Sequence, residues 1–283
     1  MFYIRYIYSM NKKLSIAVFF CFCYKIACCQ SDTTISASYL QKAKAKEILK
    51  DFKGALDDYD SAVISNPNYE KVYLYRGFVK FKLSDIKGSI DDYSKFIVSN
   101  PKSSIAYDNR GYSKFVLGDN HGALDDYNAS IALNPNVIKA HINRGAVENR
   151  LGQYKNALDD FNKALTLNQN NADIYFDIGI TKGGLQDSNG AVEAFNNAIR
   201  LNPGFDLAFL YRGTNRGLLK DYKGAMDDFN QCLALNPKNS LAYLNRGGIK
   251  FDQGDKVGAC SDFQMALSLG NEKAAEVIKE NCQ

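Results

Sequence analysis

Pairs of adjacent aspartates are the first residues in this 283-residue chain that invite a chemical reading. They stand at Asp57-Asp58, Asp91-Asp92, Asp125-Asp126, Asp159-Asp160 and Asp227-Asp228. Two carboxylates held in different environments are the usual equipment of general acid–base catalysis. These pairs, however, recur in steps of 34 residues or twice 34. An active site is needed once per domain, so a feature made five times belongs to architecture, and no catalytic residue is assigned. Metal chemistry fares no better. His121 and His141 are the only histidines, and Cys232, Cys260 and Cys282 in the body of the chain show no CxxC spacing. Neither a metal site nor a cofactor is expected. With no Gly-rich phosphate loop and no nucleophile–histidine pair, the sequence does not read as an enzyme. Cys232 and Cys260 read as small buried apolar residues, with a disulfide between them left open for an oxidising compartment. Asn128-Ala129-Ser130 matches a glycosylation acceptor but falls inside an expected helix.

Composition bounds the rest. Hydrophobic residues at 46% and charged residues at 23% belong to a folded globular chain. The formal charge of +4 comes from the N-terminus. Residues 1–29 hold Arg5, Lys12, Lys13 and Lys25 and no acid; without them 31 basic residues balance 31 acidic ones. A neutral body gives no electrostatic grip on nucleic acid or on an anionic membrane. From Met10, which reads as the true start, two lysines precede an apolar run from Leu14 to Tyr24 and small residues at Ala27 to Cys29. That is the order of a secretory signal, and the run is shorter than the roughly 20 residues that span a bilayer. Two cuts fit. Ile26-Ala27-Cys28-Cys29 resembles a bacterial lipobox with Cys29 as the lipidated residue, although Cys28 is unusual before it. An ordinary signal-peptidase cut between Cys29 and Gln30 is slightly preferred. Contact with a membrane is expected only through such a lipid or an uncleaved signal. The expected location is the periplasm or the outer membrane.

The elements that must position the aspartates follow from one period. Asn-Pro stands at 66–67, 100–101, 134–135, 202–203 and 236–237, using all five prolines; the skipped step keeps Asn168, followed by Gln169. After a linker at 30–35, seven 34-residue units cover 36–69, 70–103, 104–137, 138–171, 172–205, 206–239 and 240–273. Position 8 of the unit is Ala43 and then Gly77, Gly111, Gly145, Gly179, Gly213 and Gly247; position 20 is Ala or Ser; position 24 is Tyr59, Tyr93, Tyr127, Phe161, Phe195, Phe229 and Phe263. Over residues 36–273 the chain thus resembles the tetratricopeptide-repeat (TPR) proteins of exported bacterial type. The expected fold is an all-α solenoid of helix A–turn–helix B units. Residues 274–283 are expected to form a short capping helix over its end.

Comparing the copies suggests which charges are internal. Position 7 is basic in six units and position 23 is Asp in six, which pairs Lys42 with Asp58, Arg76 with Asp92, Arg110 with Asp126, Arg144 with Asp160, Arg212 with Asp228 and Arg246 with Asp262. The fifth unit breaks both columns together with Ile178 and Ala194. Partly buried salt bridges between helices A and B are expected, replaced there by an apolar contact. Positions 11 and 22 read as a solvated face, because Glu148 stands opposite Asp159 without a cation. Gly183 and Gly184 mark the fifth unit as the weakest link.

The resemblance implies a scaffold that binds a protein or peptide on a concave face lined by helices A. Positions 2, 5, 9 and 12 form that stripe: Lys71, Leu74, Phe78 and Phe81 in the second unit, Ile105, Asp108, Tyr112 and Phe115 in the third. Rings flanked by Lys71 and Asp108 have the composition of a binding hot spot. The family's carboxylate clamp, Lys at position 5 with Asn at position 9, is not present. The alternative reading is a structural subunit of a cell-envelope assembly that packs through its whole surface.

Overall fold

The structure, a computed structural model, describes residues 32–282. The export segment 1–29, with Met10 and Cys29, lies outside the described residues. The described chain is helical throughout and divides into two compact units that meet in sequence at Pro135 and Asn136. The first holds α1 (32–48), α2 (Phe52–Ser65), α3 (Lys71–Lys82), α4 (Ile86–Ser99), α5 (Ser104–Leu117) and α6 (Asn120–Leu133). The second holds α7 (Ile138–Arg150), α8 (Tyr154–Leu167), α9 (Ala172–Gly184), α10 (Ser188–Leu201), α11 (Asp206–Leu218), α12 (Tyr222–Leu235), α13 (Ser240–Asp252), α14 (Lys256–Ser268) and α15 (Lys273–Asn281). Odd-numbered helices up to α13 are the A helices and even-numbered ones the B helices, so each unit is a solenoid of paired helices. None of the described helices is long and apolar enough to cross a membrane.

Local chemistry sets the helix ends. In six repeats an aspartate caps helix B and accepts a hydrogen bond from the glycine amide three residues on, as Asp85 does from Gly88 at 3.0 Å. A side chain on that glycine would strike the carboxylate, since a Cβ on Gly88 would lie 2.1 Å from Asp85 Oδ2. Such caps stabilise by about 1 kcal/mol. Repeat four is the exception, with Gln153 at the cap and no side-chain bond. The B helices that end at Asn66, Asn168, Asn202 and Asn236 stop with that residue's side-chain oxygen accepting from the amide two residues on. Asn168 does so without a following proline, so the asparagine is enough to end the helix. The turn from A to B passes through one left-handed residue in every repeat. It is glycine at Gly118, Gly152 and Gly254, but Lys50, Ser84, Gln186 and Lys220 elsewhere.

Packing explains the repeat signature. Tyr59, Tyr93 and Tyr127 are buried in the first unit, and Phe161, Phe195, Phe229 and Phe263 in the second. From the second repeat on, one edge of each ring packs against the glycine at position 8 of helix A. A Cβ on Gly77 would stand 3.0 Å from the Tyr93 ring and one on Gly179 2.5 Å from Phe195, so the close helix approach requires glycine. Burying each ring contributes about 1.5–3 kcal/mol.

Two expectations change at the ends. Residues 32–35 are helical, not linker, because α1 is anchored to α2: Ser36 Oγ donates to the Ala62 carbonyl and Asn66 donates to Thr33 Oγ1. At the other end the disulfide joins Cys260 to Cys282, fastening the tail of α15 to α14. Cys232 is free and fully buried against Phe229 and Leu233, and burial pushes its thiol up to about 11. It faces the core between repeats, whereas Cys260 faces the capping helix.

Candidate functional site

The charged columns form the inner frame. Arg76 donates through Nε and Nη2 to both oxygens of Asp92 at 2.7 Å each. Arg110 holds Asp126, Arg144 holds Asp160, Arg212 holds Asp228 and Arg246 holds Asp262 in the same two-pronged way. These aspartates are buried, so the planar fork of arginine supplies both bonds that the carboxylate needs. In the first repeat Lys42 instead stands over the Tyr39 ring, and Asp58 pairs with Lys46 at 2.7 Å.

Position 11 is not a solvated face. Its cation reaches the same aspartate: Lys80 to Asp92 at 3.0 Å, Lys114 to Asp126 at 2.8 Å, Arg216 to Asp228 at 2.9 Å and Lys250 to Asp262 at 2.8 Å. Burial pushes the Asp262 carboxyl up, but the bonds from Arg246 and Lys250 outweigh it and hold the group below its ordinary range. The position 7 arginine also reaches back to helix B of the preceding repeat, as Arg76 to Asp60, Arg110 to Ser94, Arg212 to Asn196 and Arg246 to Asn230. This second grip was legible in the polar residues at position 25, a column that reasoning within one hairpin passes over.

Repeats four and five depart from the frame. In repeat four Glu148 takes the place of the cation and is buried, at 7% exposure. Burial, then the neighbouring Asp160 carboxylate, pushes it up to about 7 against the pull of Arg144. His141 Nδ1 lies 2.9 Å from Asp160 Oδ1, where other repeats have an aromatic ring under the arginine. In repeat five Ile178 and Ala194 are both buried in one apolar cluster with Phe161 and Ala164. Immediately before Ile178, half-buried Asp177 is pushed up to about 7 by burial and by Asp173.

On the A-helix face of the first unit the predicted stripe lies on neighbouring helices α3 and α5. Lys71 is exposed, Phe78 is 39% exposed and Ile105 is 61% exposed. Phe81 and Tyr112 are half-buried and touch across the two helices, with ring centroids 5.3 Å apart. The Lys82 ammonium stands 5.3 Å from the Phe78 ring. Leu74 packs inward with Tyr73, Phe96 and Ile97, and Phe115 is half-buried. Asp108 is not a rim charge: it is buried at 4% exposure, where it helps to push up the Tyr93 and Tyr127 hydroxyls, each raised first by burial. Position 5 points between helices, so Lys71 and Lys82, not Asp108, are the charges that flank the rings. The sequence reading missed Tyr75, whose ring carries the Lys44 ammonium at 3.8 Å. Position 6 lies one helical turn beyond position 2, and that spacing could have included it.

The second unit presents a different A-helix face. Gly217 and Gly248 remove side chains between α11 and α13, leaving a cleft of about 310 Å³. No group of three or more His, Cys, Asp or Glu among the described residues is placed to hold a metal ion.

With this geometry in view, residues 138–171, and in a second form residues 172–205 and 216–239, match the tetratricopeptide repeat. No curated protein matches the chain. Among solved structures, a tetratricopeptide repeat protein from Parabacteroides merdae superposes with TM-score 0.68 at 23% identity, covering 87% of this chain and 97% of its own. The C-terminal part of a TPR repeat-containing protein from Cytophaga hutchinsonii gives 0.67 at 15%, covering 84% and 98%. YrrB, described as a TPR protein with an unusual peptide-binding site, gives 0.55 at 22%, covering 66% and 97%. At these identities the likeness is one of fold. Taken with the repeat matches, it shows tetratricopeptide repeats over residues 138–205 and 216–239 within an all-α solenoid of TPR-type fold.

Proposed function

We propose that this chain is a protein-interaction scaffold that binds a peptide or protein segment on the α3–α5 face of its first unit. One observation carries the reading: Phe78 and Ile105 stand exposed beside the Phe81–Tyr112 ring pair on adjacent helices. Apolar surface gathered in that way favours a partner that removes it from water. A peptide-binding site in YrrB, a protein of the same fold, is in keeping with it. The test is Phe78→Ala combined with Tyr112→Ala, read for co-purified partner and for melting temperature. Loss of binding at an unchanged melting temperature supports the face; retained binding rejects it, and a large fall in melting temperature makes the rings core.

The same proposal includes export. The signal-like order of residues 10–29 supports it, and a Cys260–Cys282 disulfide is the chemistry of an oxidising compartment. N-terminal sequencing with lipid labelling separates a lipidated Cys29 from a start at Gln30. A cytoplasmic chain that retains Met10 sinks the export reading. A second reading, a fixed subunit of an envelope assembly, is favoured by Ile64 and Val98, which occupy one position of successive B helices at 81% and 83% exposure. A constant stoichiometric complex in crosslinked envelope fractions would select it.

A further inference from the structure

The two A-helix faces differ in charge as well as shape. On α1, α3 and α5, positions 2, 5, 6, 9, 12 and 13 carry Lys44, Lys71 and Lys82 against Glu47 and the buried Asp108. On the second unit's A helices the same positions carry Lys139 and Arg150 on α7, but Asp173, Asp177 and Asp252 with no lysine or arginine on α9, α11 and α13. The cleft between α11 and α13 has apolar walls at Leu218, Leu244 and Ile249, and the exposed carboxylate of Asp252 lines it. Asp252 makes no ion pair among the described residues; Lys250, two residues earlier, is spent on Asp262. A Cβ on Gly248 would meet nothing within 4 Å, so the space is open to an incoming chain.

We propose that this cleft binds a lysine or arginine side chain of an extended partner segment. The methylene stem lies along Leu218, Leu244 and Ile249, and the charged head meets Asp252. A long basic side chain suits such a site because its stem is apolar and its head seeks a carboxylate. At about 310 Å³ the cleft is at the small end of ligand pockets, which fits a side chain better than a whole small molecule. Gly248 lets the partner's main chain come close, while Gly217 gives room to Ile249 of the facing helix. Asp173 and Asp177, on the next A helix, extend the same sign of charge along the face and disfavour an acidic partner. Burial already pushes the Asp177 carboxyl up to about 7, and a nearby cation would relieve it. The proposal rests on reading the A-helix face as the binding face, but not on the ring patch of the first unit.

The experiment is selection of a displayed library of random 12-residue peptides on the full chain. It is repeated on Asp252→Asn, on Gly248→Phe and on Phe78→Ala/Tyr112→Ala. The expected result is a several-fold enrichment of lysine and arginine beside apolar residues, weakened by salt. That enrichment is lost with Asp252→Asn and Gly248→Phe, and kept with Phe78→Ala/Tyr112→Ala. Persistence of the last effect separates the cleft from the ring patch, whose own failure leaves this result unchanged. Purely apolar or acidic peptides, no recovered peptide, or basic enrichment that survives both cleft variants overturns the proposal. Melting temperatures are read on the same samples, and if Gly248→Phe fails to fold, Asp252→Asn decides alone.

Discussion

Repeats four and five are neighbours in the second unit, and they leave the Arg–Asp frame in opposite ways. Repeat five gives up both charges, and Ile178 and Ala194 pack together in their place. Repeat four keeps Arg144 and Asp160 but exchanges the second cation for Glu148. Replacing both partners of a buried pair by apolar groups leaves nothing unsatisfied and is often neutral. Replacing one cation by an acid puts two carboxyls in one buried space, and the answer is a proton held on Glu148 into the neutral range. The repeat with more glycine has no ion pair left to satisfy, although Asp177 on its A helix is also pushed up to about 7. The repeat that looks regular holds its raised carboxyl inside the Arg–Asp frame itself.

That contrast can be broken or sharpened by experiment. The largest effect should come from an intact repeat used as reference. Asp126→Ala should cost about 3–5 kcal/mol, because it strands the cations of Arg110 and Lys114 together. Arg110→Ala should cost less, because Lys114 still pairs with the buried Asp126. The double variant should lose much less than the sum. Strict additivity in chemical denaturation means that the pair contributes nothing as a pair. Ile178→Ala in repeat five should cost about 2–4 kcal/mol through the cavity it leaves. A loss below about 1 kcal/mol in chemical denaturation would show that the site collapses around the smaller side chain.

Glu148 should contribute a pH slope on the order of 1–3 kcal/mol. Its folded pKa is raised, to about 7 from an ordinary 4.5, so the folded state binds the proton more tightly. Its contribution is complete below the unfolded value and is lost as pH rises through about 7. Asp262, whose carboxyl is held low, works in the opposite sense: its contribution is present above its ordinary value of 3.8 and lost in acid. Glu148→Gln should flatten the neutral slope, and hydrogen exchange in α7 and α8 of the parent chain should quicken between pH 6 and 8. An unchanged slope in the variant assigns the titration elsewhere. The smallest effect concerns the missing cap. Gln153→Asp combined with Asn156→Gly should gain about 0.5–1 kcal/mol by giving α8 the Asp–Gly cap the other B helices have, read as a higher denaturation midpoint.

Much of the frame could be read from the sequence because a repeat supplies its own controls. Six copies of glycine opposite an aromatic ring fixed the hairpin register, and matched breaks at Ile178 and Ala194 pointed to a direct contact. What stayed hidden involved neighbours outside one hairpin. Lys80 and its counterparts were matched with position 22, although the helix turns their stems toward position 23. Asp108 looked like a surface charge because helical spacing gives a stripe but not its depth. The Cys260–Cys282 link depended on where α15 docks, which no periodicity encodes. The cleft of the second unit arises from two glycines on different helices, and a loss of side chains leaves no positive signal.

The backward reach of each position 7 arginine has a mechanical consequence. Arg76, Arg110, Arg212 and Arg246 each act as a rivet through three helices, so load on one hairpin passes to the one before it. Ile178 carries no such rivet, and the seam between repeats four and five is joined by the apolar cluster and a neutral bond, Asn149 Nδ2 donating to Thr181 Oγ1 at 2.8 Å. Apolar contacts yield by sliding, whereas a forked ion pair must break outright. Stretched from its two ends, the second unit should part first at that seam. The tail fastened by Cys260 and Cys282 should then still be in place when residues 138–167 have already peeled away.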